Sequence, residues 1–334
     1  MTATPAPIER VGARPTDLLT LWARRNLWML GLLALLVFLL ALTKFIQPTY
    51  GAIALQGLGT SVLPLALAAV AQAIVVISGG IDLSIGSMMA LTSVVCASAM
   101  DGQSEQFGIL VVAAVLFLGL VLGAINGGLV VVTGVPDIVV TLAMSFVWAG
   151  SALLVRERPG GGASIWLGNL VVGPLGLDWV PKAVVVLIVI VAVIWIPISR
   201  SRLGLSTYAI GSSRLAAFRS GVPVGRTKIL AYMLTGLFAA LAGLSLTAST
   251  SIGSPVPGPY TLESVAAVVL GGVSLAGGRG GVFGPIVAVV ILQLIGTDLT
   301  FLNVDPNIAF VAQGVILIAV LMSSRVVEVW RTRA

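Results

Sequence analysis

Histidine is absent from the 334 residues, and cysteine occurs once, as Cys96 in the apolar run Thr92 to Ala99. Neither a disulfide nor a Cys/His metal site is therefore expected. Charge is scarce as well. Only 9% of residues are charged and 58% are hydrophobic, where a soluble domain carries roughly 25% charged residues. No loop of the form GxxxxGK[ST] is present, since Lys44, Lys182 and Lys228 precede Phe, Ala and Ile; a Walker A site for ATP is missing from this chain. No Ser/Lys or paired-Asp arrangement stands mid-membrane, so no catalytic residue and no cofactor of the chain's own are expected. The pI of 10.1 comes from basic residues spread over short loops, which argues against a nucleic-acid face.

What the sequence does have is apolar length. A helix crossing the hydrocarbon core needs about 20 apolar residues, and such stretches run from residue 27 almost to the end. An all-α polytopic membrane protein of about ten transmembrane helices is expected. The spans fall near 27–46, 52–77, 85–100, 108–132, 136–155, 183–198, 229–250, 262–276, 281–300 and 307–323. Residues 1–26 form an N-terminal tail, 27–323 the membrane domain, 200–228 its long basic loop and 324–334 a C-terminal tail. With ten alternating spans, Lys44, Arg156, Arg158 and Lys182 are the only ones of the 18 basic residues on the poorer side. The positive-inside rule then places both termini in the cytoplasm. Small residues such as Gly119, Gly123, Gly127 and Gly128, and Ala239, Ala240, Ala242 and Gly243, are expected to let helices approach closely. Trp22, Trp28, Trp166, Trp179 and Trp330, at span edges, are expected as interface anchors.

Three stretches carry more than hydropathy. Ser78-Gly-Gly-Ile-Asp-Leu-Ser-Ile-Gly-Ser87 interrupts an apolar region with Gly79, Gly80, Asp82 and Ser84, so one helix ends and another begins there. Asp82 is either the N-cap of the second helix or an ionisable residue placed for substrate at a broken helix. Leu270-Gly-Gly-Val-Ser-Leu repeats the Gly-Gly-[Ile/Val]-x-Leu pattern with Gly271 and Gly272 opposite Gly79 and Gly80, which points to an internal duplication. In the basic loop, Ser212 or Ser213 can cap a short helix running to Ser220 and closed by Gly221. Leu215 and Phe218 would share one face of it, flanked by Arg214 and Arg219, a shape suited to a groove on a soluble partner.

A neutral polyol crossing between helices needs polar groups and aromatic faces. Gln72, Asp82, Ser84, Asn126 and Gln293 are the polar candidates, and Phe146 and Trp148 the stacking ones. No basic residue lies inside a span away from its ends, which favours uncharged cargo.

In this order and spacing, GGIDLSIGS at 79–87, YAIGSSRLAAFRSGV at 208–222 and ESVAAVVLGGVSLAGGRGGVFG at 263–284 resemble the permease family of ribose, xylose, galactose-type and autoinducer ABC importers, over most of the chain from about residue 50. The resemblance implies a multi-pass protein of the bacterial inner membrane. It further implies a pore built with a second permease subunit, ATP hydrolysis on separate cytoplasmic ATPase subunits, and sugar delivery by a periplasmic binding protein. It also marks 208–222 as the coupling loop, with Ser213, Arg214, Phe218 and Arg219 at the contact, and Ala216, Ala217 and Gly221 small because the partner approaches closely. Branched-chain amino acid or nucleoside uptake by the same architecture, and an ion-coupled secondary transporter, are the competing readings.

Overall fold

The computed structural model describes residues 27–305 except 257, together with 308, 311, 314 and 315. The two tails and most of the tenth expected span, 307–323, lie outside the described residues. Regular structure among the described residues is helical apart from one small hairpin and an isolated Gly160–Gly253 bridge, and most expected helices are found nearly residue for residue. In chain order the elements are α1 (Leu27–Ile46), α2 (Ala52–Ile77), α3 (Ile85–Met100), α4 (Glu105–Thr133), α5 (Asp137–Val155), α6 (Ile165–Val171), the strands β1 (Pro174–Leu175) and β2 (Leu177–Pro181), α7 (Lys182–Arg200), α8 (Arg202–Ser212), α9 (Arg214–Arg219), α10 (Val224–Thr250), α11 (Tyr260–Leu270) and α12 (Phe283–Phe301). Among the described residues seven of these helices are long and apolar enough to cross a membrane: α1, α2, α4, α5, α7, α10 and α12.

The exceptions are instructive. The expected span 262–276 is cut short, since α11 has 11 residues and at ~1.5 Å per residue reaches only about half of a ~30 Å core. Gly271 and Gly272 stop it, and the chain continues as a glycine loop up to Phe283. Helix α3, with 16 residues, is short for the same reason at its other end, where the 78–84 turn interrupts the run. In α7 the residues Val191–Trp195 form a π turn; Pro197, two residues on, has no N–H to donate back, and the widened turn absorbs that lost bond.

Helix α2 is the buried centre, with every residue from Val62 to Ile77 buried, and α10 and α12 pack along it. An almost uniformly apolar helix is at home only where neighbours surround it. Helices α1, α5 and α7 present most of their surface outward, as helices facing lipid do. The α4–α10 pair is closed by small residues. A methyl group at Gly127 would lie 2.8 Å from the Cβ of Tyr232, and one at Gly119 would lie 2.5 Å from Ala240, so these glycines serve close packing. Gly128 faces open space and takes no part in that contact.

At one end of the bundle Arg156 pairs with Asp101 at 3.6 Å, Gln56 donates to the Asp178 carbonyl, and Glu105 accepts the Ile165 and Trp166 amides at the start of α6. The opposite end gathers the 78–84 turn, the α8–α9 segment and the 271–282 loop. Among the described residues Arg156 thus lies at the first end and Arg214, Arg219 and Arg279 at the second. Two tryptophans do more than sit at an edge: Trp28 Nε1 donates to the Leu270 carbonyl at the end of α11, and Trp166 Nε1 to the Glu105 carbonyl. Trp179 is exposed, while Trp22 and Trp330 lie outside the described residues.

Candidate functional site: a glycine junction beneath a buried polar network

The three motif stretches meet at one point. Helix α2 closes with Gly79 in the left-handed region (φ 78°), its N–H bonded to Val76 and the Gly80 N–H reaching back to Val75. Helix α11 ends in the same way, with Gly272 at φ 79°, its N–H on Val269 and the Val273 N–H on Val268. The structural counterpart of Gly79 is thus Gly272 and that of Ser78 is Gly271, so the five-position repeat, which set Gly271 opposite Gly79, is one residue out of register. What the two places share is a helix cap, for which glycine is the natural residue. The loop after α11 then folds under α2, and the Gly278 amide donates to the Ile77 carbonyl at 2.9 Å. Gly211, near the end of α8, fills the remaining space: any side chain there would collide with the Ile77 carbonyl and the Gly278 amide. A methyl group on Gly277 would come within 2.9 Å of the Gly79 Cα. Tyr208 Oη donates to the Gly280 carbonyl at 2.9 Å; burial pushes its phenol above the usual range and keeps it a donor.

Above the junction lies a polar network of four sequence candidates. Asp82 Oδ1 accepts from the Ser84 amide at 2.8 Å and the Ser84 hydroxyl at 2.6 Å. Asn126 Nδ2 donates to Ser84 Oγ at 2.7 Å, and Trp148 Nε1 to Asn126 Oδ1 at 3.2 Å. All four side chains are buried, which ties the 78–84 turn to α4 and α5. Asp82 thus holds the turn before α3 and belongs to the network at once; its Oδ2 is buried without a hydrogen-bond partner. Both amide atoms of Gln72, on α2, are likewise buried and unpartnered. Phe146 does not belong here. It is 72% exposed, because two residues along a helix turn the side chain by about 200° and Trp148 faces inward. Gln293 is half-buried on α12, which packs on α1, α2 and α11, and it makes no bond to the network.

The short helix of the basic loop is α9. Ser213 Oγ accepts the Ala216 amide, and Gly221 (φ 81°) closes it, with the Val222 N–H on Ala217. Leu215 and Phe218 are 61% and 68% exposed. With Arg214, Val131, Val222 and Arg226 they line an open groove of about 730 Å³. Ala216 and Arg219 are exposed as well, but Ala217 is buried within its own chain. Its small size therefore serves internal packing, and the free face is that of Leu215 and Phe218.

Other groups were not legible from the sequence as site residues. Lys228 Nζ lies 2.7 Å from Asp137 Oδ2, which also accepts from Tyr232 Oη at 2.8 Å. Thr141, one turn beyond Asp137, accepts the Leu83 amide, and its hydroxyl lies 2.9 Å from the Asp137 carbonyl and 3.2 Å from that of Ile81. A cavity of about 270 Å³ opens beside α3, two residues beyond Ser84; Gly86, Met89, Ser93, Thr250, Ser254 and Tyr260 are among its walls. Among the described residues no group of three His, Cys, Asp or Glu side chains is placed to hold a metal ion.

A family model described as branched-chain amino acid transport system / permease component matches residues 53–321. The chain belongs to that permease family. It is 34% identical to the ribose import permease of Escherichia coli K12 over 270 residues, 78% of this chain and 82% of the relative. Against the ribose import permease of Bacillus subtilis the identity is 33% over 270 residues, covering 78% and 81%. Against the autoinducer 2 import system permease of Escherichia coli HS it is 30% over 309 residues, covering 90% and 92%. The resemblance to sugar ABC importer permeases carried by the three motifs is matched by these relatives. No solved structure matches the chain.

Proposed function

We propose that the chain is the pore subunit of an ATP-driven importer of a small neutral sugar, with α9 the helix on which a cytoplasmic ATPase subunit docks. The observation that carries this reading is the exposure of Leu215 and Phe218 on a capped helix whose base is built into the glycine junction. Exposed apolar side chains flanked by arginines on a short capped helix suit a partner's groove. The junction end is then cytoplasmic, as are both termini of a ten-span chain in the bacterial inner membrane. The opposite end faces a periplasmic binding protein, and a second permease subunit completes the pore.

The cargo route runs from the cavity beside α3 to the Asp82–Ser84–Asn126–Trp148 network. At about 270 Å³ the cavity sits just under the ~300 Å³ lower end of small-molecule sites, and hydroxyls, an amide and an indole suit a polyol. The family's description names branched-chain amino acids, which supports a second cargo for this architecture. The sugar is favoured because the network offers hydroxyl, amide and indole groups and holds no Lys or Arg to pair with an amino acid's carboxylate.

The test is co-purification of the tagged chain with a Walker A subunit from its native membrane. Wild type should retain that subunit, and Phe218→Asp and Leu215→Asp should lose it while the permease stays folded. A well-folded wild type that never brings an ATPase, or an unchanged yield with both variants, would overturn the reading.

A further inference from the structure

The half-buried ion pair Lys228–Asp137 stands outside the sugar route and outside α9, yet it joins them. Only Ser220 to Pro223 separate α9 from α10, and the Val222 amide and the Pro223 carbonyl are bonded into the two helices, to Ala217 and Thr227. This connection leaves little slack. Lys228 sits one turn into α10, and its ammonium meets Asp137 with side-chain exposures of 13% and 16%. Tyr232, one turn further on, donates to the same oxygen. The Asp137 carboxylate in turn lies against Gly80, where any side chain would strike it, and Thr141 on the same face of α5 holds Ile81 and Leu83. From Leu83 the next two links are Ser84 and Asn126. An unbroken series of contacts therefore leads from the exposed helix to the buried network.

We propose that Lys228, Asp137 and Tyr232 are positioning residues that carry displacement of α9 into the Gly79–Ser84 turn, so that partner ATPase turnover moves the groups lining the sugar route. This rests on the reading of α9 as the docking helix. A packing role alone could be filled by apolar side chains of similar size; a half-buried charge pair whose carboxylate also accepts the Tyr232 hydroxyl fixes the geometry between α5 and α10 as well. It links two helices to the one turn where the α2–α3 run is broken, the kind of place where a rigid contact is transmitted rather than dissipated.

The experiment uses the whole transporter in proteoliposomes, reading sugar uptake and ATP hydrolysis together. Lys228→Met and Asp137→Asn should keep ATPase assembly and hydrolysis while uptake per ATP falls on the order of tenfold. Tyr232→Phe should lower the ratio less, and the exchanged pair Lys228→Asp with Asp137→Lys should recover part of it. A wild-type ratio in the single variants overturns the proposal. So does loss of assembly in both singles without recovery in the exchanged pair, which would make the ion pair structural only. If no ATPase assembles with the wild-type chain, the docking reading fails first and this proposal with it.

Discussion

The Gly278 amide donates to the Ile77 carbonyl at 2.9 Å, so the last turn of the most buried helix is completed by a loop from the far half of the chain. Helix ends leave carbonyls without intrahelical partners, and here the partner is also the contact that Gly211 presses against. A helix cap, a loop and the base of an exposed helix share a single spot, and a disturbance of any of them reaches the others.

Gly211→Ala forces a methyl group into the Ile77 carbonyl. The expected outcome is a loss of about 1–3 kcal/mol, the usual cost of overpacking, seen as a lower melting temperature of the detergent-solubilised protein. Gly128→Ala, mid-helix and facing open space, should instead be neutral or gain up to ~1 kcal/mol. Equal destabilisation by both would contradict the junction.

Trp148→Phe removes the N–H that Asn126 Oδ1 accepts at 3.2 Å. A buried acceptor left without its donor costs about 1–3 kcal/mol, and sugar uptake should fall with it. Phe146→Ala, two residues away and 72% exposed, should leave uptake near wild type. Equal loss in the two variants would sink the network as part of the route.

How far the sequence could go is visible at these same places. The bounds of α1, α2 and α3 were legible because apolar runs end at Gly, Pro and Asp, and the Ser213 cap with the Gly221 stop was legible because capping is local chemistry. The opposed facing of Phe146 and Trp148 was also available from helical spacing, though composition alone set them side by side. Two adjacent glycines carry no mark of which one takes positive φ, so the repeat slipped by one residue. The meeting of Ile77, Gly211 and Gly278 and the Lys228–Asp137 pair join distant segments, and nothing local in the sequence encodes them.

Ser213→Ala deletes the oxygen that accepts the Ala216 amide. The cost to α9 is expected near ~1 kcal/mol, read as faster hydrogen exchange of the amides in 214–219 with the rest of the protein unchanged. No change in exchange would mean that the cap does not hold the helix.

Trp28→Phe keeps an aromatic ring but loses the bond to the Leu270 carbonyl. A drop of about 0.5–1.5 kcal/mol in stability is expected, checked by thermal melting. An unchanged melting temperature would mean that the indole acts only as an interface anchor.

ATP-driven import through α9 and import driven by an ion gradient differ in one readily measured respect. The most direct measurement is uptake of labelled ribose and related sugars into inside-defined vesicles carrying the whole complex, with ATP supplied or withheld and with ionophores present or absent. With α9 as the docking helix, uptake depends on ATP hydrolysis, survives collapse of the ion gradients and is lost in Phe218→Asp. Uptake that persists without ATP and disappears with an ionophore would contradict that role.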